Sequence, residues 1–143
     1  MSVRPDKSLV TEVAALKSMK ESFVEKDWLV TQVICLIQEV CQEGFEVVFS
    51  GGTALSKAHH LLFRFSEDID FRVLVKPQFS ARKSRSHFKH AVVNALRTAG
   101  FAIEASHVTA RDENRFFAID LEYFLMKVWL VASVWVANQR ALA

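Results

Sequence analysis

Two carboxylates separated by a single residue, Asp68 and Asp70, carry the most specific chemical suggestion in this sequence. On an extended strand they project from the same face, with their Cα atoms about 6–7 Å apart. Like charges this close repel each other, and a divalent cation such as Mg²⁺, which prefers hard oxygen ligands, would relieve the repulsion. Two such ions can activate an attacking hydroxyl and stabilise a leaving pyrophosphate. A solvated strand face without a metal is the alternative that an Asp-x-Asp pair alone leaves open.

A second stretch, Ser50-Gly51-Gly52-Thr53, has the composition of a phosphate-binding turn between a strand and a helix. The glycines permit close approach of the backbone to a phosphate, and the amides at the start of the helix favour an anion. Thr53 can cap this helix or offer its hydroxyl to a phosphate. Lys57 follows one helical turn later, within reach of the charge of a nucleotide. An ordinary Gly-Gly turn is the alternative.

The two stretches support each other, because a glycine turn, one helix and an Asp-x-Asp strand place the turn and the carboxylates at neighbouring ends of adjacent strands. Residues 51–57 read Gly-Gly-Thr-Ala-Leu-Ser-Lys, and residues 64–71 read Arg-Phe-Ser-Glu-Asp-Ile-Asp-Phe. Together they resemble the signature of the AbiEii/AbiGii-type toxin nucleotidyltransferases, within the DNA polymerase β-like superfamily. The resemblance is dense over residues 49–71 and looser from about residue 30 to residue 123.

The resemblance implies a metal-dependent enzyme that transfers a nucleoside monophosphate from a nucleoside triphosphate to an acceptor hydroxyl. It further implies the toxin component of a toxin–antitoxin or phage-defence system, with an antitoxin as partner and the tRNA 3′ end as an acceptor. Asp68 and Asp70 would hold Mg²⁺ ions in a two-metal site. The residues expected to bind the nucleotide are Gly51, Gly52, Thr53, Lys57 and Ser66. For Ser66, a structural role in a turn or cap remains open.

Enzymes of this superfamily usually supply a third carboxylate from a later strand. Asp120, in the run Phe-Ala-Ile-Asp-Leu-Glu-Tyr at residues 117–123, is the expected catalytic acid, and Glu122 on the same strand face is the alternative. This face can also be a solvent-exposed side of a hairpin without catalytic function. In relatives the third acid can also lie further downstream, but residues 126–131 contain no acid.

The elements that must position these residues can be read from hydrophobic periodicity and from turn residues. They follow the order α-α-β-α-β-α-β-β, which indicates an α/β or α+β fold with a mixed sheet flanked by helices and two helices at the start of the chain. The resemblance implies a DNA polymerase β-like core. The expected helices are Ser8–Lys26, Trp28–Gln42 (begun by Asp27 and ended by Gly44), Thr53–Phe63 and Ser80–Ala99, and the expected strands are Phe45–Ser50, Asp68–Val75, Phe101–Thr109 and Arg115–Phe124.

The chain of 143 residues is expected to form one domain, residues 1–143. Residues from about 124 to 143 have no defined pattern, and they stand where relatives continue into a helical second half. A chain truncated after its catalytic core is the expectation, with the apolar tail buried against the domain or in a homo-oligomer. A catalytically inactive module that acts in binding or oligomerisation is therefore the alternative function.

Composition and charge bear on whether the chain is a nucleic-acid-binding, a disulfide-stabilised or a membrane protein. The net charge of +2 gives no overall basic field that would favour nucleic acid. A local basic cluster within residues 80–90 leaves open either a solvated helix face or contact with an RNA backbone. The two cysteines, Cys35 and Cys41, have a spacing that suggests neither a disulfide nor a metal pair. The most apolar run, residues 128–137, is too short to cross a bilayer. We therefore expect a cytoplasmic protein that does not associate with a membrane.

Overall fold

The computed structural model describes residues 5–40, 42–50, 68–123 and 126–137. A mixed five-stranded sheet with helices on one face organises these ranges. The helices are α1 (Lys7–Lys17), α2 (Glu21–Glu39) and α3 (Arg82–Thr98), and the strands are β1 (Phe45–Ser50), β2 (Asp68–Val75), β3 (Val108–Arg111), β4 (Phe116–Tyr123) and β5 (Met126–Val136). Short 3-10 turns cover Pro77–Phe79 and Ala105–His107. The helix predicted over residues 53–63 lies outside the described residues.

The first helix ends earlier than its hydrophobic pattern indicates. The carboxylate of Asp6 caps it by accepting from the amide of Ser8 at 2.8 Å, so the predicted cap at Ser8 is wrong. Ser18 adopts the left-handed conformation (φ 52°) and ends the helix, and Asp27 lies inside α2 rather than at its start. The apolar spacing continues across this break, and for that reason periodicity alone predicts one long helix.

Gly44 has the predicted left-handed conformation, with φ +84°, but it does not end α2 directly, because the helix stops at Glu39. A Cβ atom at this position would lie 2.3 Å from a ring carbon of Phe79. Gly44 therefore serves the turn into β1 and a close contact with the turn before α3. Its carbonyl also accepts a hydrogen bond from the amide of Lys76 at 2.9 Å.

Two further boundaries differ from the sequence prediction. The hydroxyl of Ser80 donates to the carbonyl of Pro77 at 2.8 Å and does not cap α3, which begins at Arg82. The predicted strand over residues 101–109 is reduced to β3, Val108–Arg111, because a 3-10 turn precedes it. The hairpin of β3 with β4 is confirmed, and three residues with positive φ, Asp112, Glu113 and Asn114, form its turn.

The strand order in the sheet is β1-β2-β5-β4-β3. Strand β5 runs parallel to β2 and antiparallel to β4, while the other neighbours are antiparallel. This confirms the predicted mixed sheet flanked by helices. The segment after residue 124, for which the sequence gives no defined pattern, forms the central strand of the sheet. One face of its apolar run, with Val128, Leu130 and Ala132, is buried against this domain, whereas Trp129, Trp135 and Val136 are exposed.

The hydrophobic core lies between one face of the sheet and helices α2 and α3. Phe71 and Phe117 make an edge-on ring contact with centroids 6.4 Å apart, and Phe117 also meets Phe88 of α3. Side chains alternate between the two faces of a strand, so the residues between these core positions point to the opposite face. Asp68 and Asp70 belong to that opposite face, which we call the open face. Within the described ranges, every helix is too short or too polar to traverse a lipid bilayer.

Candidate active site

Asp68 and Asp70 lie at the beginning of β2, on the open face of the sheet. The burial of β2 alternates, with Ile69 and Phe71 buried, Asp68 exposed and Asp70 half-buried. Asp70 pairs with Ser50, the last residue of β1, and on its other side with Val131 of β5. The residue that precedes the two glycines in the sequence therefore lies opposite one of the two carboxylates, as the sequence motif requires.

The two carboxylates influence each other electrostatically. The pKa of Asp70 is raised above its ordinary value, first by partial burial and second by the negative charge of Asp68. Both causes disfavour the ionised form of Asp70. A bound cation would counter both causes.

The predicted nucleotide-binding residues lie outside the described residues. They are Gly51, Gly52, Thr53, Lys57 and Ser66. The structure therefore places the two ends of this segment, at Ser50 and Asp68, and brings Ser50 beside Asp70. The assignment of the phosphate contacts rests on the sequence motif.

Asp120 projects from the same open face. It pairs with Trp129 on β5, and Trp129 pairs on its other side with Asp68. Asp68 and Asp120 thus occupy one row across the sheet, two strands and about 10 Å apart at the backbone. The Oδ1 atom of Asp120 is buried and has no hydrogen-bond partner among the described residues. A buried carboxylate oxygen without a partner is costly for stability unless a water, an ion or a ligand satisfies it.

Glu122, the alternative third acid, has a different environment. Its carboxylate lies 3.4 Å from the ammonium group of Lys127, and both side chains are largely exposed. An exposed ion pair of this kind contributes little to stability, but it satisfies the charge of Glu122. Of the two acids, Asp120 is therefore the better candidate for a role in chemistry.

Trp129 is the residue of this site that the sequence does not identify. It stands between Asp68 and Asp120 in the same row, with 41% of its surface exposed. The only sequence signal is the lack of an acid within residues 126–131. Because an indole fills the strand position next to Asp68, Asp120 is separated from the carboxylate pair by the full width of β5.

The described residues fit a cation held by two protein ligands. Among them, no group of three or more histidine, cysteine, aspartate or glutamate side chains could hold a metal ion. Asp68 and Asp70 can provide two carboxylate ligands, and Mg²⁺ typically completes its shell with waters and the phosphate oxygens of a nucleotide. Partial burial and the negative charge of Asp68 together raise the pKa of Asp70, and such a cation would offset both.

The basic cluster within residues 80–90 is partly structural. Arg85 is only 5% exposed, donates to the backbone carbonyls of Glu113 and Ser80, and lies 3.6 Å from the carboxylate of Glu113. Lys89 donates to the side chain of Asn114 at 3.1 Å. These contacts attach α3 to the β3–β4 turn. Arg82 and Lys83 remain exposed at the start of α3.

Comparison with solved structures finds similar but much longer chains. One is the Cid1 poly(U) polymerase with Mg and 3′-dATP bound, at a TM-score of 0.46 and 16% identity over 94% of this chain and 38% of that one. Another is a cytoplasmic RNA terminal U-transferase, at a TM-score of 0.42 and 17% identity over 95% of this chain and 37% of that one. The chain thus spans less than two fifths of these proteins, and no assignment rests on them. Among curated proteins, none matches this chain.

Comparison with protein families gives a direct result. The family described as nucleotidyl transferase AbiEii toxin, of type IV toxin–antitoxin systems, matches residues 39–141. The match includes Gly51 and Gly52, the Asp-x-Asp strand and the central strand β5. It covers well over half of the sequence. The resemblance inferred from residues 49–71 is therefore confirmed, and the chain belongs to the AbiEii family of nucleotidyl transferase toxins.

Proposed function

We propose that this chain transfers a nucleoside monophosphate from a nucleoside triphosphate to an acceptor hydroxyl. The observation that carries the proposal is the Asp68–Asp70 pair at the beginning of β2, on the open face of the sheet, where Asp70 lies opposite Ser50, the last residue of β1. In the reaction, the acceptor oxygen bonds to the α-phosphorus, and the bond between the α-phosphorus and the bridging oxygen breaks. Pyrophosphate leaves with the electron pair of that bond.

The chain's own residues divide this work. Asp68 and Asp70 would hold Mg²⁺ in a two-metal site, which when bound lowers the pKa of the acceptor hydroxyl and neutralises charge on the departing pyrophosphate. The phosphates are assigned to Gly51, Gly52 and Thr53, on the sequence motif alone. Lys57 and Ser66 are assigned to the rest of the nucleotide.

Asp120 is assigned the proton of the acceptor hydroxyl. Its Oδ1 atom has no hydrogen-bond partner within the described ranges, so this carboxylate has capacity to accept from an acceptor hydroxyl that approaches beside Trp129. Trp129 separates Asp120 from the pair, which favours this role over direct metal ligation. The acceptor that we would test first is the 3′ end of tRNA. We further propose that a cognate antitoxin binds the chain and that the enzyme works in the cytoplasm.

One experiment tests the transfer. The protein is incubated with Mg²⁺, each α-labelled nucleoside triphosphate in turn and total tRNA, beside the variants Asp68→Asn/Asp70→Asn and Glu46→Gln. Glu46 is exposed on the same sheet face, away from the pair, so its variant controls for the loss of one surface charge. Transfer of label by the native protein and by Glu46→Gln, but not by the double variant, supports the proposal. Equal transfer by the double variant would refute the role of the pair.

A second candidate function is nucleotide binding without transfer. The observation that favours it is Trp129, which occupies the position beside Asp68 where a third carboxylate would be closest to the pair. Equilibrium dialysis with a labelled triphosphate separates the two functions. A chain that binds the triphosphate in an Asp70-dependent manner, yet transfers no label to any RNA, is a binding module.

A further inference from the structure

A band of arginine and aromatic side chains crosses the open face of the sheet next to the carboxylates. It consists of Arg72 on β2, Ser133 and Trp135 on β5, Phe116 on β4 and Arg111 on β3. Register holds the band together, because Arg72 pairs with Ser133, Ser133 with Phe116, and Phe116 with Arg111. From the first arginine to the last, the band spans four adjacent strands, about 14 Å.

Each arginine of the band lies over an aromatic ring. The guanidinium carbon of Arg111 is 4.1 Å from the ring centroid of Phe116, and that of Arg72 is 5.8 Å from the ring of Trp135. The indole nitrogen of Trp135 donates to the hydroxyl of Ser133 at 3.1 Å, which fixes the orientation of the ring. The band is therefore an ordered arrangement of cations and π-faces.

The band is accessible and its charge is available. Trp135 is 56% exposed, and both arginines are exposed. Within the described part of the chain, neither arginine forms an ion pair with an acid. Trp135 is thus held by a hydrogen bond while more than half of its surface faces water, where a ligand can reach its ring.

The band lies close to the proposed reaction centre. Arg72 is two residues beyond Asp70 on the same strand face, about 7 Å away at the backbone. A single nucleic-acid strand whose phosphates and bases contact the band can thus place its terminal hydroxyl near Asp70 and Asp120. Asp68 and Asp70 repel phosphates at the beginning of β2. Arg72, the next residue on the same strand face, attracts them.

We propose that this band binds a single-stranded nucleic acid, with the arginines on its phosphates and Trp135 and Phe116 against its bases. Stacking of bases on aromatic side chains combined with cationic contacts to the backbone is how proteins hold single strands. This inference rests on the proposed function, because it identifies the acceptor as a single strand whose end reaches the carboxylates. A paired helix cannot offer the flat faces of its bases to Trp135.

The test is a binding measurement that needs no catalysis. A 12-nucleotide RNA with a 5′ fluorescein is titrated with the full chain in Mg²⁺, and binding is followed by fluorescence anisotropy at several salt concentrations. The band variants are Arg72→Gln/Arg111→Gln and Trp135→Leu. The matched control is Arg82→Gln/Lys83→Gln, which removes the same charge from the exposed start of α3. All of these side chains are exposed, and thermal unfolding verifies that each variant is folded.

We expect the native chain and the α3 control to bind the single strand with similar affinity. The double arginine variant should bind at least tenfold more weakly than the native chain. Its plot of log K against log salt concentration should have a slope shallower by about 1.4, because two phosphate contacts are lost. The Trp135→Leu variant should bind at least about fivefold more weakly than the native chain, as expected for the loss of one stacked base. The blunt-ended duplex of the same sequence should compete poorly.

Three results would overturn the inference. The first is binding by the band variants that equals native binding while the α3 control fails, which would move the surface to the basic cluster. The second is no binding of RNA by the native chain. The third is a native dimer that Trp135→Leu dissociates, which would show that a second copy covers this face. If RNA binding follows the prediction but no label is transferred, the proposed function fails and the binding surface stands.

Discussion

Replacing Asp70 with asparagine should stabilise the protein in the absence of metal and remove its response to Mg²⁺. The side chain is retained in shape, but the charge that Asp68 repels is gone. For two charges about 6.5 Å apart, Coulomb's law gives roughly 0.6 kcal/mol at the dielectric constant of water and roughly 2.5 kcal/mol at an effective constant of 20. Because Asp68 is exposed and Asp70 only half-buried, we expect about 0.5–1.5 kcal/mol, or roughly 2–5 °C in Tm.

The effect should depend on pH in a defined direction. The pKa of Asp70 is raised in the folded protein above its ordinary value of 3.8, so the folded state binds more protons than the unfolded state between these two values. Native stability from this group is therefore present below pH 3.8 and is lost as the pH rises through the raised pKa. The advantage of Asp70→Asn should appear over the same interval and persist at neutral pH.

Thermal unfolding in EDTA and in a series of Mg²⁺ concentrations measures both effects. Ligand binding at ten times Kd should stabilise the native protein by about 1.4 kcal/mol, and the Asp70→Asn variant should gain much less. Glu46→Gln is the matched control, since it removes one charge from the same face of the sheet. A variant that is less stable than the native protein in EDTA, or that responds to Mg²⁺ equally well, would contradict the reasoning.

Three other substitutions test particular contacts. Arg85→Met should lower the free energy of unfolding by about 2–3 kcal/mol, because buried hydrogen bonds are lost, and urea denaturation measures this; a change under about 0.5 kcal/mol would contradict it. Gly44→Ala should cost more than about 1 kcal/mol in thermal unfolding, because φ is positive and the new Cβ meets Phe79; native-like stability would show that the turn relaxes. Trp129→Asp should lower the Kd for Mn²⁺ roughly tenfold by calorimetry, because it places a third carboxylate about 4.8 Å from Asp68 at the backbone; an unchanged Kd would show that the pair cannot use it.

Strands with one buried face were predictable from the sequence. The bounds of β2 and β1 agree with the prediction. In β2 an apolar residue stands at every second position from Ile69 to Val75, alternating with charged residues as far as Arg72, and Gly51 follows β1 directly. Alternation is the local signature of a strand that is buried on one side. The Asp-x-Asp pair inherits its placement from this pattern, so the position of both carboxylates followed from the sequence.

Strand β5 was not predictable in the same way. It lies between two neighbours, and most of its residues are apolar on both faces, with Lys127 and Ser133 as the polar exceptions, as is common for central strands with a parallel partner. Such a run has no period of two, and Trp129 and Trp135 give no indication of where it belongs. The row that joins Asp68, Trp129 and Asp120 depends on the register of β5 with both neighbours. The register between β2 and β5, which are far apart in the chain, is decided by the packed sheet and not by local sequence.

The central position of β5 also determines how this protein can fold. Strands β2 and β4 do not touch each other, and each pairs with a strand that is made later in the chain, roughly sixty residues after β2. Strand β5 follows β4 directly in the chain and can pair with it locally, whereas the long loop between β2 and β5 closes slowly. Until it closes, β2 presents an unpaired edge rich in apolar residues. A nascent or proteolysed chain that stops before residue 126 would leave both β2 and β4 with an unpaired edge, so we expect loss of β5 to cause aggregation rather than only a loss of activity.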